Sequence, residues 1–555
     1  IHLITGALLG VLIKQILCLL QFEARDARYL ALASAACWVL HPFLVSTTLY
    51  VVQRMAQLAT LFILAGLIVF LHGRSFLLTN QRKAYVQMSL SVSLFTLLAI
   101  LSKENGVLLP VLIGVIEITV IASQRERLGA ISPYWIGLFI LLPTLVIGMY
   151  LGKQFFRADF FDVVAPRDFS LYERLLTEPR ILADYLQNWF IPKLYTTGVY
   201  QDHFVKSTGL LSPFTTLVAV AFHACAIGLA FFYRRKWPLF ALAALFFYGG
   251  HLLESTVLNL ELYFEHRNYL SACFLFVPLI VVLHQHARRR VFFGVLIGLL
   301  LLLAGFTRYS ATVWESEASI VEASAHKAPT SARAQAEYAN ILFNANLHEE
   351  ALEVIERAIE NSPASDPLLL VNRLIILCNM NRLQVDELQK SVELVSTIFF
   401  DSRLLKAHNE FARVVKEGHC PTISVQSLEP MFTRMLDVPA NADPTTLAYS
   451  HIKFLIGYVL VYSGEPQQAL LAFEQSLQAR SGASHAMAMA ALMASSNYQV
   501  EALRLSDLAL SFLANEEKSM LLRSRVNEAD IRAFRSTVQA ELESSQDSDS
   551  YDPTP

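Results

Sequence analysis

Polar clusters interrupt the apolar first half of the chain, and its chemistry is expected at these positions. Ser102-Lys103-Glu104-Asn105 separates apolar runs over residues 84–101 and 106–122. A charged group at the end of a membrane helix is costly unless it pairs, reaches water or contacts a ligand. The other clusters are His41-Pro42 with Arg54, the segment 185–202, and Glu265-His266-Arg267-Asn268. We interpret all four as parts of one site on one side of a membrane.

The cations in these clusters have the chemistry that a phosphate at a bilayer surface requires. Arginine offers a planar bidentate fork and lysine a compact point charge, so Arg54, Lys103 and Arg267 suit a lipid-linked phosphate. Glu104 and Glu265 are expected to hold these cations in place or to accept hydrogen bonds from sugar hydroxyls. The site is therefore expected to bind an anionic, sugar-bearing lipid.

A structural interpretation exists for every cluster. His41 suits a hydrogen-bond donor or a titrating group, but Pro42 ends a helix whatever its function. Arg54 and Arg267 would also serve as anchors at lipid headgroups, and Lys103 would also pair with Glu104. The functional interpretation rests on the placement of all the clusters on one side.

Composition divides the chain into a membrane part and a soluble part. Of 555 residues, 54% are hydrophobic and 16% charged, with a mean hydropathy of +0.43, whereas soluble domains carry about a quarter charged residues. Residues 1–310 hold the apolar excess, and we expect a polytopic helix bundle there and an all-α protein overall. A membrane helix needs about 20 apolar residues. Candidate segments are 3–20, 29–40 extended by the following residues, 57–71, 84–101, 106–122, 134–151, 212–233, 237–253, 269–284 and 291–308.

The connecting loops alternate in charge. Basic loops occur at 21–28, 72–83, 123–133, 234–236 and 284–290. The positive-inside rule assigns these loops to the cytoplasm. The polar clusters and the C-terminal half then lie on the opposite side.

The loop over 152–211 is long, and its segment 170–189 has helical spacing that predicts amphipathic helices in the membrane interface. We assign Arg180, Tyr185 and Asp202 to acceptor binding or to a structural lid. The predicted apolar face consists of Leu171, Leu175, Leu176, Leu182, Tyr185 and Leu186, with Arg174, Glu178, Arg180 and Asp184 elsewhere.

Internal repeats appear after a linker over 311–330. An Ala-Leu pair recurs at Ala351, Ala469 and Ala502, and the last two lie 33 residues apart, close to the tetratricopeptide period of about 34. We expect a tetratricopeptide α-solenoid over 331–540 and a disordered tail over 541–555. The solenoid is expected to bind an acceptor or partner protein, or else to act as a spacer. Its helix pairs are predicted at 331–363, 365–399, 402–418, 445–480 and 483–514.

Cysteine and histidine spacings give no structural zinc motif, so no metal is expected. Cys378 and Cys420 lie in the soluble part and would pair only in an oxidising compartment; spacing alone leaves this open. The net charge of −3 averages two unlike halves. No nucleic acid partner is expected.

Four runs occur in a recognisable order. They are His41-Pro42, Tyr50-Val51-Val52-Gln53-Arg54-Met55-Ala56-Gln57-Leu58, Ser102-Lys103-Glu104-Asn105 with Leu108-Leu109-Pro110, and Glu265-His266-Arg267-Asn268-Tyr269-Leu270-Ser271. Their order resembles the transmembrane and tetratricopeptide repeat-containing O-mannosyltransferase family, and specifically its bacterial branch. The resemblance covers nearly the whole chain.

The resemblance implies a GT-C fold glycosyltransferase without a metal or other cofactor. Such an enzyme transfers a sugar from a polyprenyl-phosphate donor to a hydroxyl of an exported protein. The positions that match its donor site are His41, Arg54, Lys103, Glu104 and Arg267. The implied location is a bacterial inner membrane with the repeats in the periplasm, or an endoplasmic reticulum membrane with the repeats in the lumen.

In that fold, a carboxylate base in the first external loop deprotonates the acceptor, and cations stabilise the departing phosphate. Residues 2–20 resemble the second helix, so we expect the first helix and the catalytic base to precede Ile1. Two alternatives stay open at this point. One is a surface-polysaccharide polymerase or ligase, and the other is a non-catalytic membrane anchor for a repeat scaffold.

Overall fold

A computed structural model describes residues 1–157, 160–161, 169–196, 198–362, 366–395, 400, 402–516 and 526–549. Its regular elements are all helical, which confirms the predicted all-α class. Two compact units divide the chain: the first comprises the described residues from Ile1 to Ala328, and the second those from Pro329 onward. The predicted linker contains a helix, Glu317–Lys327, that belongs to the first unit.

The first unit has the apolar helices of a multi-pass membrane protein. Within the described ranges, seven helices are long and apolar enough to cross a membrane, or up to nine if each of two bent pairs is one span. The seven are His2–Leu19, Val51–Ser75, Gln81–Ser102, Glu104–Leu128, Pro133–Phe155, Thr215–Tyr233 and Arg289–Val313. The bent pairs are Ala24–Val39 with Pro42–Leu49, and Glu265–Ser271 with Phe276–His286.

All ten predicted segments fall on these helices or on Pro238–His251, which has only 14 residues. The two bends, of 56° and 55°, also make the count lower than ten. The first bend has a local cause. Pro42 has no N–H to continue the preceding helix, and the His41 side chain accepts a hydrogen bond from the backbone N–H of Phe43, which starts a new turn.

A tight turn positions the Ser-Lys-Glu-Asn run. Lys103 adopts an extended backbone between two helices that end at Ser102 and begin at Glu104. Gly106 then approaches the preceding helix so closely that a Cβ atom would lie 2.2 Å from the carbonyl carbon of Ala99. Only glycine fits there, and this close packing directs Lys103 and Asn105 into the interior while Glu104 stays exposed.

The predicted helix in the long loop exists as Leu171–Phe190, here called the loop helix. It begins with a capping box in which Ser170 and Glu173 each bond the other's backbone. Its buried face differs from the predicted one. Residues at helical spacing turn inward, and these are Leu171, Arg174, Thr177, Glu178, Ile181, Tyr185, Asn188 and Trp189. Arg174 and Glu178 were expected on the solvent side but are buried, since they pair with each other.

The second unit consists of consecutive packed helices with a hydrophobic core of their own. Helices pair at or near the predicted segments, consistent with a repeat region. The described α-helices are Ala332–Asn344, His348–Asn361, Pro367–Asn379, Val385–Val395, Ser402–Lys416, Glu429–Arg434, Pro439–Ala442, Leu447–Tyr462, Pro466–Ala479, Ala483–Ser495, Gln499–Glu516 and Glu528–Asp549. The last of these runs through most of the predicted tail, and residues 550–555 lie outside the described residues.

Five helix ends in the second unit share one backbone geometry. A residue with positive φ follows each helix, and these residues are Asn346, Asn381, Gly418, Gly464 and Asn497. The next N–H then bonds a carbonyl five residues earlier, as in Leu347 to Leu342 at 3.0 Å and Arg382 to Leu377 at 2.8 Å. This Schellman pattern ends a helix and redirects the chain. The same type of turn therefore recurs along the second unit, as the repeated sequence pattern does.

Candidate functional site

A buried ion pair joins the Ser-Lys-Glu-Asn turn to the loop over residues 252–264, here called the polar loop. Lys103 Nζ lies 2.5 Å from Glu254 Oε1, and the two side chains are only 4% and 5% exposed. Sequence analysis suggested Glu104 as the partner of Lys103, whereas the structure supplies Glu254. An exposed pair would contribute little to stability, but a buried pair is sensitive to the loss of either partner.

A second group of charges lies between the loop helix and the polar loop. Glu178 Oε1 is 2.6 Å from Arg174 and 3.5 Å from Arg267, and all three side chains are almost fully buried. We call Lys103, Arg174, Glu178, Glu254 and Arg267 the buried charge cluster. Its three cations face two carboxylates. The carboxylate of Glu261 also attracts Arg267, so the cluster concentrates buried cations without a net excess of positive charge.

The two arginines also fix the shape of the polar loop. Arg174 donates to the carbonyl oxygens of Glu254, Thr256, Leu260 and Glu261 at 2.5, 2.9, 2.5 and 3.0 Å. Arg267 donates to the carbonyl oxygen of Leu262 at 2.6 Å and to that of Glu261. These carbonyl groups belong to an irregular segment, so the N–H groups of a regular helix do not bond them. The guanidinium groups replace the missing backbone hydrogen bonds.

A small cavity opens against this cluster. Its volume is about 10 Å³, roughly the space of one water molecule. Lys103, Asn105, His266 and Arg267 form its polar side, and the rest of the lining is Ala56, Ala59, Thr60, Ile63 and Leu270. Arg267 Nε and Asn105 Oδ1 are buried and have no hydrogen-bond partner among the described residues. An unpartnered buried donor costs about 1–3 kcal/mol, which a ligand or an ordered water would recover. The cavity thus offers two cations and one unpaired hydrogen-bond donor, Arg267 Nε, to a ligand.

Electrostatics fix the charge state of Glu254. Burial alone opposes ionisation of this carboxyl group, but attraction to Lys103, His266 and Arg267 outweighs it and lowers the pKa of Glu254 to about 2. Glu254 is therefore a carboxylate at physiological pH. It serves as the fixed counter-charge of Lys103 and has no proton to give.

Glu265 lies beside Arg267 in sequence but has different partners. Its two carboxylate oxygens accept hydrogen bonds from the hydroxyl of Ser46 and from the amide of Gln201, the latter at 3.1 Å. The side chain is 3% exposed. Glu265 therefore ties the bent helix pair near Pro42 to the segment that follows the loop helix.

His41 and Tyr185 are buried and hold neighbouring segments. His41 Nε2 is 3.1 Å from the carbonyl oxygen of Trp189, and its ring packs on that of Trp189 with centroids 4.2 Å apart. The Tyr185 hydroxyl donates to the carbonyl oxygen of Phe264 at 2.8 Å and accepts from the N–H of Phe264 at 2.9 Å. Tyr185 thus fixes the backbone directly before Glu265.

The remaining predicted residues lie away from the cavity lining. Arg54 and Glu104 are exposed. Arg180 donates to the carbonyl oxygen of Val205 at 2.7 Å and to the Ser207 hydroxyl at 3.2 Å, and Asp202 is half-buried. The structure therefore brings Lys103 and Arg267 together, with Glu265 and Tyr185 close in sequence or contact, and leaves Arg54 and Glu104 on the surface.

Sequence analysis missed four members of this arrangement: Arg174, Glu178, Glu254 and the cavity role of His266. For Arg174 and Glu178 a signal was present, because they occupy the same helical face as Leu171, Ile181 and Tyr185.

No family model matches the chain, and no curated protein is significantly similar to it.

Proposed function

We propose that this protein is a membrane glycosyltransferase that transfers a sugar from a polyprenyl-phosphate donor to a hydroxyl of an exported protein. The observation that supports this most is that two buried cations, Lys103 and Arg267, line one small cavity together with His266. Cations placed where negative charge develops on a leaving group stabilise the transition state.

In the proposed reaction, the acceptor oxygen attacks the anomeric carbon of the sugar. The bond from that carbon to the phosphate oxygen breaks, and the electron pair stays on the lipid phosphate. Lys103 and Arg267 would bind the phosphate oxygens, with Glu254 and Glu178 fixing the two cations in place. A carboxylate would take the acceptor proton; we assign this role to no residue of the chain.

The disulfide supports a location for the second unit. Cys378 and Cys420 are bonded, with Cα atoms 4.9 Å apart. Disulfides persist in oxidising compartments. This favours a periplasmic or lumenal second unit and agrees with the orientation from the basic loops. The paired helices there would act as tetratricopeptide-type repeats that recruit the acceptor.

Intact-mass analysis of exported proteins, from cells with and without the gene, tests the proposal. Wild type should add hexose-sized mass increments to at least one exported protein. Lys103→Ala and Arg267→Ala should remove them while the protein still inserts. Arg74→Ala is the matched control, because it removes another buried, ion-paired arginine that lies outside the cavity lining, at the other end of helix Val51–Ser75 from Ala56. Unchanged increments in both cavity variants would favour the scaffold alternative.

Deleting residues 331–555 separates the roles of the two units. Loss of transfer to protein, with retained hydrolysis of the lipid-linked sugar, is expected if the second unit recruits the acceptor. Equal loss of both activities would contradict a recruiting role.

A further inference from the structure

A cleft lined by arginines lies near the C-terminal end of helix Glu104–Leu128, whereas the buried charge cluster lies near the N-terminal end of that helix. We call this cleft the basic cleft. It has a volume of about 280 Å³, and its charged lining consists of Arg74, Glu117, Arg125, Arg234 and Arg235. Arg74 and Arg125 come from the ends of two long apolar helices, and Arg234 and Arg235 from the turn between Thr215–Tyr233 and Pro238–His251.

Arg74 serves the structure of the cleft. It lies 3.0 Å from Glu117 and donates to the carbonyl oxygens of Leu128 and Gly129 at 2.7 and 2.8 Å. Gly129 has a φ of +72°, and a Cβ atom there would lie 2.8 Å from the Leu78 side chain. The Arg74–Glu117 pair thus cancels its own charge and fixes the loop that forms one wall.

The other arginines of the lining, Arg125, Arg234 and Arg235, differ from Arg74 in their partners. Among the described residues, neither Arg125 nor Arg235 lies within ion-pair distance of a carboxylate, and both are exposed. Within the part of the chain that the structure describes, Arg234 donates only to the carbonyl oxygen of Phe231, in the helix that precedes it. With Glu117 balanced by Arg74, three positive charges at the rim remain uncompensated.

The rest of the lining is apolar. Ile118, Ile121 and Ile136 belong to two candidate membrane helices, and Ile118 is 38% exposed. An apolar wall contributes nothing to the binding of a soluble phosphate. A phospholipid has both a charged headgroup, which suits the arginines, and a hydrocarbon chain, which suits the isoleucines. Arginine suits the phosphate, because its planar fork gives two parallel hydrogen bonds.

We propose that the basic cleft binds an anionic phospholipid, with the headgroup phosphate between Arg125, Arg234 and Arg235 and an acyl chain along Ile118 and Ile136. Basic pockets between membrane helices recognise lipid headgroups in this way. This lipid site is separate from the cavity at Lys103 and holds whether or not the protein is a glycosyltransferase.

Lipid titration of the purified full chain in neutral detergent, read by native mass spectrometry, tests the site. The probes are phosphatidylglycerol, phosphatidylcholine and inorganic phosphate. The test variant is R125Q/R234Q/R235Q. The control R288Q/R289Q/R290Q removes the same charge from three exposed arginines outside the cleft lining. The single variant Arg235→Gln keeps the test valid if the triple variant fails to fold.

Wild type and the control should bind phosphatidylglycerol about tenfold or more tightly than phosphatidylcholine. The triple cleft variant should lose this preference, and Arg235→Gln should lose part of it. Equal losses in the cleft and control variants would overturn the site, since general electrostatics would then explain binding. Displacement of phosphatidylglycerol by millimolar inorganic phosphate, or no preference over phosphatidylcholine, would overturn the assignment to a lipid.

Discussion

Lys103 Nζ and Glu254 Oε1 lie 2.5 Å apart in an ion pair, and both side chains are buried. The pair connects a helix turn to an irregular loop, and it belongs to the buried charge cluster. Removing one partner leaves an uncompensated buried charge, whereas removing both does not. This asymmetry allows the structural and the binding roles of Lys103 to be separated by mutation.

Lys103→Gln alone is expected to destabilise the first unit by about 3–5 kcal/mol, because it leaves Glu254 buried and ionised. Lys103→Gln with Glu254→Gln should recover most of that loss. The measurement is thermal unfolding in detergent, arranged as a double-mutant cycle. Glu104→Gln is the control, since Glu104 is exposed and should change stability by less than about 0.5 kcal/mol. Additive effects of the two single variants would refute the coupling.

Acid should lower the free energy of unfolding over a defined pH range, because it protonates Glu254. Its pKa in the folded protein is about 2, below the ordinary value of 4.5. A lowered carboxyl pKa adds stability above the unfolded value, and that stability disappears as pH falls through the folded value. The loss is therefore expected between about pH 4.5 and pH 2, and Glu254→Gln should show a shallower acid transition than wild type. Identical acid profiles would mean that Glu254 is not held as a carboxylate.

Arg174→Lys is expected to loosen the polar loop, because one ammonium group cannot replace donors to four separate carbonyls. Hydrogen exchange of peptides covering residues 252–264 should rise by about tenfold or more. Arg74→Lys is the matched control and should leave exchange in those peptides unchanged. Equal exchange in both variants would show that Arg174 does not hold the loop.

The Cys378–Cys420 bond closes a loop with a sequence separation of 42. A disulfide of this kind contributes about 2–4 kcal/mol. Cys378→Ser should therefore lower the unfolding temperature of the second unit, and Cys37→Ser should not. Alkylation of the denatured but unreduced protein should label four cysteines, namely Cys18, Cys37, Cys225 and Cys273. Labelling of all six would place the second unit in a reducing compartment.

The helices were predictable from the sequence because apolar length and charged interruptions are local properties. The position of Lys103, Glu265 and Arg267 at the ends of apolar runs was also visible in the sequence, but their burial was not predicted. Their partners were not predictable, because Glu254 and Glu178 come from distant segments and pairing depends on the packed fold. The buried face of the loop helix was predicted wrongly because Arg174 and Glu178 were assumed to prefer water; a charge with a close partner does not.

Binding of undecaprenyl phosphate to the purified protein tests the central claim most directly, with native mass spectrometry as the readout. The Lys103→Gln/Glu254→Gln variant keeps the buried charges balanced, so its stability should stay near that of wild type while its affinity falls about tenfold or more. The R125Q/R234Q/R235Q variant should bind the lipid phosphate as wild type does. Unchanged affinity in the Lys103 double variant would contradict a phosphate site at this cavity.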